Sequence, residues 1–156
     1  MSDLVFRINA VRGQAEAASA KLGEGDATRK QLSALNGKAD EIRKKIVATK
    51  EGGAITGEER LREHMDQLYG AIMSYDGKPS DYQLARIDAL KRELDDVQKQ
   101  FADFQQADLP KANDALKAAK LEAIAVPEHA PDDSTGSGAE GKKRYDEEEG
   151  RFGERD

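Results

Sequence analysis

The sequence predicts an all-α protein: an antiparallel up-down bundle of about four helices with a short C-terminal helix and a disordered acidic tail. Apolar residues recur at alternating steps of four and three, which places them on one face of an α-helix. Charged residues make up 36% of the chain and aromatic residues 5%, with no Trp. This composition suits amphipathic helices and disfavours a β-sandwich, which is enriched in aromatic and β-branched residues.

Two apolar stripes predict the first two helices. The stripe of the first helix is Leu4, Ile8, Val11, Ala15, Ala18 and Leu22. Gly23 and Gly25 end this helix, and Asp26 is suited to cap the next one because its carboxylate can accept from a free backbone amide. The stripe of the second helix is Leu32, Leu35, Ala39, Ile42 and Ile46. Gly52 and Gly53 then close the second helix.

Two capping boxes predict where the third and fourth helices begin. In a capping box a hydroxyl and a carboxylate or amide three residues later satisfy each other's backbone amides, and Thr56 with Glu59 and Ser80 with Gln83 match this spacing. The third stripe is Leu61, Met65, Leu68, Ile72 and Tyr75. The fourth helix is expected over residues 81–107, with the stripe Leu84, Ile87, Leu90, Leu94, Val97, Phe101 and Phe104.

Pro110 predicts a break before the C-terminal helix. Proline lacks an amide hydrogen and disfavours a helical residue before it, so we expect a kink near Asp108 and Leu109. The short helix that follows carries Ala112, Leu116 and Ala119. Leu121 and Ile124 are expected to fold back onto the end of the bundle.

The chain divides into a helical bundle, residues 1–126, and a tail, residues 127–156. Apolar stripes joined by short connections favour antiparallel packing in the first part. The tail is rich in Pro, Gly and Ser and holds ten acidic and five basic residues, so it carries −5 of the net charge of −6. A segment with so little apolar surface cannot repay its ordering entropy, and we predict that it is disordered.

The charge and the hydropathy of the chain argue against two classes of partner. A pI near 5.1 means that the molecule repels phosphate backbones, so we expect no nucleic acid partner. No stretch approaches the roughly 18 apolar residues of a membrane span, and charges in the first twenty positions disfavour a signal peptide there. The absence of Cys excludes disulfides and leaves the compartment open.

No pattern predicts a catalytic, cofactor or metal site, and we expect that the chain is not an enzyme. A di-iron bundle requires a Glu three residues before a His, and Leu61 holds that position relative to His64. The second histidine, His129, lies in the predicted tail. The glycines of residues 52–57 follow no strand and precede no Lys, unlike a phosphate-binding loop. The many carboxylates are interpreted as solvated helix faces, because a narrow bundle offers no cleft for a glycan.

A basic run lies near the end of the second helix. It comprises residues 43–45, with Lys38 and Lys50 nearby. We interpret this run as the complement of the helix dipole, whose negative end attracts cations. A docking patch for a partner is the less favoured alternative.

The long heptad stripes can pack inside the chain or against a partner. We expect Phe101 and Phe104 to lie in the core, with a groove for a partner as the alternative, and Tyr82 lies off the stripe. Helices with regular apolar stripes, such as the first and fourth helices, can also pair between chains as a self-associating coiled coil. Packing inside one chain is the favoured interpretation.

One segment, from Gly77 to Leu121, carries a specific pattern. It contains a Pro-Ser helix start, an apolar heptad, two Phe three residues apart, and Asp-Leu-Pro followed by Asn and Leu. The residues are Pro79, Ser80, Leu84, Ile87, Leu90, Leu94, Phe101, Phe104, Asp108, Leu109, Pro110, Asn113 and Leu116. The pattern resembles the helical C-terminal region of bacterial sortilin-like β-propeller proteins, secreted chains described as glycosyl hydrolases or sialidase-repeat proteins. The resemblance extends more weakly over residues 3–126.

The resemblance implies a non-catalytic accessory module with a structural or protein-interaction role in a secreted β-propeller protein. It implies an extracytoplasmic location and a propeller domain as partner. The propeller blades, which would hold any catalytic site, are not among these 156 residues, so no catalytic residue carries over. Two alternatives stay open: part of a glycosyl hydrolase-like or sialidase-like enzyme whose active site lies in a propeller, and a self-associating coiled coil.

Ile42→Asp and Leu94→Asp each place an unpaired charge in a predicted apolar stripe. Because an isolated charge is costly to bury, we expect either substitution to melt the bundle. Circular dichroism during heating checks this expectation. An unchanged helicity and Tm would show that these stripes do not form the core.

Overall fold

A computed structural model describes residues 1–49 and 59–130, which contain helices and no strand. The helices are α1 (Ser2–Ser19), α2 (Ala27–Ile46), α3 (Leu61–Met73), α4 (Asp81–Ala107) and α5 (Leu109–Ala118). The predicted all-helical bundle is therefore confirmed for the described part of the chain. The described residues do not include Gly52, Gly53 and Thr56, nor residues 131–156 of the predicted tail.

Helices α1 and α2 form an antiparallel hairpin that supplies the larger part of the core. On the flank of this hairpin, Arg12 donates to the Asn36 side chain at 2.8 Å and lies 3.1 Å from the Asp40 carboxylate. Both predicted stripes are buried, apart from Leu22, which is half-buried beyond the end of α1. The buried residues are Leu4, Ile8, Val11, Ala15, Ala18, Leu32, Leu35, Ala39, Ile42 and Ile46.

The C-terminal half of α4 and helix α5 complete this core. Lys38 on α2 contacts Asp108, and Lys45, later on α2, contacts Gln100, earlier on α4, so the two helices run antiparallel. The core residues from this part are Val97, Phe101, Phe104, Leu109, Ala112 and Leu116. Both Phe residues are buried, which confirms their predicted place in the core, and their rings stack with centroids 5.9 Å apart.

Several helix ends lie where the sequence predicts them. The Asp26 carboxylate accepts from the Thr28 amide at 2.7 Å and caps α2. At the start of α4, the Gln83 amide donates to Ser80 Oγ at 3.3 Å and the Ser80 amide donates to Gln83 Oε1 at 2.9 Å, so this capping box is confirmed. Pro110 lies in the first turn of α5, where a missing amide hydrogen is tolerated.

Other helix ends differ from the prediction. Helix α1 ends at Ser19, several residues before Gly23, and Leu22 still packs on the core from the turn that follows. Helix α2 ends at Ile46, because Val47 is extended while its side chain stays buried. In both places an apolar residue continues to reach the core after the helix has stopped. The apolar spacing therefore gives no signal of the boundary.

Helix α3 begins later than the sequence predicts. The helix begins at Leu61, and the Arg60 amide donates to the Glu63 carboxylate at 2.9 Å. Glu63 thus takes the reciprocal capping role that the sequence assigned to Glu59. Glu59 instead accepts from the Gln67 side chain at 2.9 Å. The predicted start is wrong because a second acidic residue, Glu63, stands at the capping distance from a later position, while Thr56 lies outside the described residues.

Residues 119–130, called here the C-terminal strap, return over the bundle without helical structure. Asn113 on α5 holds the strap by accepting from the Ile124 amide at 2.8 Å and donating to the Ile124 carbonyl at 3.1 Å. Gln14 on α1 binds both backbone groups of Ala125 in the same way. Ile124 is buried, so the predicted fold-back of this segment is confirmed.

The strap continues along α1 into the first residues assigned to the tail. Arg7 donates to the Pro127 carbonyl at 3.1 Å, and the Ala130 amide donates to the Asp3 carboxylate at 2.7 Å. The Arg7 guanidinium also lies 5.6 Å from the centre of the Phe101 ring. One side chain therefore joins α1, the core of α4 and the strap.

Asn113→Ala removes both hydrogen bonds to Ile124, and we expect a loss of about 1–2 kcal/mol of stability. Amide hydrogen exchange should accelerate at Ile124 and Ala125, while the exposed Asn9→Ala serves as the matched control on α1. Unchanged exchange in the strap of the Asn113 variant would contradict the role assigned to this side chain.

Candidate functional site

Helix α3 and the N-terminal half of α4 form a second hairpin, called here the α3–α4 hairpin (residues 60–94). It extends beyond the core because Lys45, at the end of α2, already lies beside Gln100 of α4. Leu94 and Val97 of α4 still pack on the core, so residues 81–93 are the part that extends past it. At 1.5 Å per residue this extension is roughly 20 Å long. Leu61 on α3 and Leu90 on α4 are buried but do not belong to the main core.

The α3–α4 hairpin carries the exposed large apolar side chains of the described residues. They are Tyr69 at 67% exposure, Met73 at 66%, Tyr75 at 68%, Tyr82 at 76%, Leu84 at 49% and Ile87 at 40%. Single exposed apolar residues are common on protein surfaces, but such a concentration on one hairpin is not. This concentration marks the hairpin as the candidate functional site.

An open groove of about 300 Å³ runs between α3 and α4. It is lined by Met65, Leu68, Tyr69, Ile72, Ile87, Leu90, Lys91 and Leu94. Met73 follows Tyr69 by four residues and Leu84 precedes Ile87 by three, so each continues its side of the groove by one helical turn. Small-molecule sites combine an apolar lining with several polar anchors, and Lys91 is the one charged group in this lining. The groove suits the apolar side chains of another polypeptide.

The sequence had assigned these stripes to the bundle core, and this expectation was wrong in part. Met65, Leu68 and Ile72 are half-buried, and Tyr75 is exposed. The reason is helix length, since α4 spans about 40 Å whereas α1 and α2 span about 27–30 Å. The shorter helices cover the C-terminal half of α4 alone.

Tyr69 and Met73 were not predicted as site residues, although the sequence carries a signal for them. Together with Leu68 and Ile72 they give α3 an apolar arc of roughly 140°, wider than the roughly 100° of one face. Such a wide arc indicates that a helix contacts two neighbours. Tyr82, expected off the stripe, is exposed at 76%.

The two histidines lie beside different carboxylates. His64 Nδ1 is 3.7 Å from Glu59 Oε2, and His129 Nδ1 is 4.0 Å from Asp3 Oδ2. In residues 1–49 and 59–130, no group of three or more Asp, Glu or His side chains is placed to hold a metal ion.

The basic run of α2 is paired within the fold. Arg43 and Lys44 bind the Asp40 carboxylate at 2.9 and 3.0 Å, and Lys45 donates to the Gln100 side chain. These pairs hold the run against its own helix and against α4. A docking patch at this position would have to compete with them.

Three basic side chains from α1 and α2 lie next to the Asp40 carboxylate. Burial of Asp40 raises its pKa, but hydrogen bonds from Lys44 and Arg43 and the charge of Arg12 outweigh that effect, so the pKa lies below its ordinary value. The ionised carboxylate is therefore favoured in the folded protein.

Comparison of the chain with protein-family models, with curated proteins and with solved structures finds no match. The resemblance to sortilin-like propeller proteins rests on the sequence pattern alone. Within the described residues, no helix combines the length and the apolar character needed to cross a bilayer.

The lowered pKa of Asp40 in the folded protein stabilises the fold at pH values above the pKa of an unfolded Asp, about 3.9. This stabilisation is lost as the pH falls through the pKa of Asp40 in the folded protein. We therefore expect Asp40→Asn to lose less stability than the wild type between pH 7 and about pH 2.5. Urea unfolding at both pH values measures this difference, in which the contributions of the other carboxylates cancel. Equal losses in the two proteins would contradict the role of Asp40.

Proposed function

We propose that this chain is a non-catalytic helical module that acts by binding another polypeptide along the groove of the α3–α4 hairpin. The supporting observation is the concentration of exposed Tyr69, Met73, Leu84 and Ile87 around a groove with almost no polar lining. Apolar surface left in water is unfavourable by about 25 cal/mol per Å², and contiguous patches of several hundred Å² mark interaction sites. A polypeptide with its own apolar side chains removes this surface from water.

The resembling pattern is consistent with this role. Pro79 and the cap residue Ser80 directly precede α4, and Asn113 holds the strap. The remaining members from Leu90 to Leu116 lie in the core, at the junction of α4 and α5, or in the groove floor. Leu84 and Ile87 are instead exposed on the groove side of α4. Within the described residues, the side chains of Leu84 and Ile87 are not fully buried. A docked partner would bury them.

The finer proposal follows from the resemblance: an accessory C-terminal region of a secreted β-propeller protein, with the propeller as the docked domain. The alternative is that the module completes a glycosyl hydrolase-like or sialidase-like enzyme whose active site lies in that propeller. In this alternative the groove has the same task, and the chemistry belongs to the partner. Saturable turnover of a glycan or a peptide by the purified chain would contradict a non-catalytic module.

A photo-reactive benzoylphenylalanine in place of Tyr69 tests the groove, with Tyr82 as the matched control. Both are exposed tyrosines of the same hairpin, but Tyr69 lines the groove and Tyr82 does not. We expect irradiation in cells that make the protein to yield a protein adduct from position 69 and much less from position 82. Mass spectrometry identifies the captured chain, and a propeller would favour the finer proposal.

The same experiment in an Ile87→Glu background should lose the adduct, because a charge in an apolar contact is costly to desolvate. Equal yields from positions 69 and 82, or no adduct from either, would contradict a docking role for the groove.

A further inference from the structure

We propose that the polypeptide that fills the groove is a second copy of this chain, paired hairpin to hairpin about a two-fold axis. This inference rests on the proposed binding role of the groove, and it assigns the groove to an identical chain in place of a propeller. Three properties of the α3–α4 hairpin carry it: the shape of the groove, its apolar area and its charge.

The groove combines projecting side chains with a recessed apolar floor. Tyr69 forms one wall of the groove and is also two-thirds exposed, and Ile87 forms the opposite wall and is 40% exposed. In a two-fold pair each patch meets its own copy, so a projecting side chain from one copy faces the groove of the other. The two hairpins together make a four-helix arrangement, in which each apolar stripe faces inward.

The apolar area matches the requirement of a dimer. A large aromatic side chain carries roughly 150–250 Å², so the exposed parts of the groove residues and their neighbours Met73 and Leu84 amount to on the order of 500 Å² per copy. A stable interface buries about 800 Å² per partner, and about 65% of a homodimer interface is apolar. The two figures agree in magnitude.

The charge of the hairpin favours an identical partner over a strongly charged one. Residues 60–94 hold six basic and six acidic side chains, which gives a formal net charge of zero with neutral His. A neutral patch is not repelled by its own copy and does not attract a polyanion or a polycation by long-range forces. The net charge of the chain is concentrated elsewhere, since residues 127–156 carry −5 of the −6.

The heptad stripes provide a further argument. The apolar stripe of α1 is buried inside the chain from Leu4 to Ala18, so it is not available for pairing between folded copies. The stripe of α4 is buried from Val97 onward and exposed at Leu84 and Ile87. Among the described residues, the half of α4 that packs on α3 and not on the main core is the half that pairs between chains.

Light scattering of the full chain over concentrations from about 1 to 200 μM tests the inference, a range typical of moderate affinities. The expected result is a mass that rises from the 17.1 kDa of one chain to twice that value. Tyr69→Glu and Ile87→Glu should each weaken the dimer about tenfold or more. Tyr82→Glu adds the same charge to the same hairpin outside the groove and should leave the mass unchanged. Circular dichroism of each variant confirms that the helices remain.

A monomeric mass across the whole range would overturn the dimer. If position 69 then still captures a different protein, the proposed function stands and the identity of its partner changes. If position 69 captures nothing, both proposals fail. A dimer that survives both groove substitutions would place the interface elsewhere and would also overturn the inference.

Discussion

The constraint on which the rest of the structure depends is the register between α2 and α4. The contact of Lys45 with Gln100 places the end of α2 against the C-terminal half of α4. N-terminal to Leu94, the last α4 residue that packs on this core, α4 continues for roughly 20 Å with α3 as its neighbour. One continuous helix therefore belongs to two environments, a closed core and an open groove.

The closed part is held by ordinary helix packing and by polar groups at its edges. The aliphatic stripes of α1 and α2 meet the stacked Phe101 and Phe104 rings, and Asn113 and Gln14 satisfy the backbone of the strap. Each of these amides both donates to and accepts from one residue of the strap. The strap thereby covers the end of the core without a helix or strand of its own.

The sequence predicted the closed part well and the open part poorly. Periodicity identified every buried residue of α1 and α2 and both Phe, because in those helices the apolar face is also the covered face. For Leu84 and Ile87 the same periodicity predicted a face correctly but not its burial, since a helix pattern does not show how far the neighbouring helix extends. Tyr75 lies beyond the end of α3, so the pattern that included it was one turn too long. The start of α3 was missed because two acidic residues, Glu59 and Glu63, each stand at a capping distance from a plausible start. The site could not be located before the register of the helices was known.

The most direct test of a divided α4 is amide hydrogen exchange along this helix as a function of protein concentration. At low concentration, we expect amides around Val97–Phe104 to exchange with the slow rate of global unfolding and amides around residues 84–90 to exchange faster. At high concentration, the second group should slow while the first stays unchanged. Equal protection along all of α4 at every concentration would contradict the account, because it would show that α3 alone completes the fold and leaves no surface for a partner.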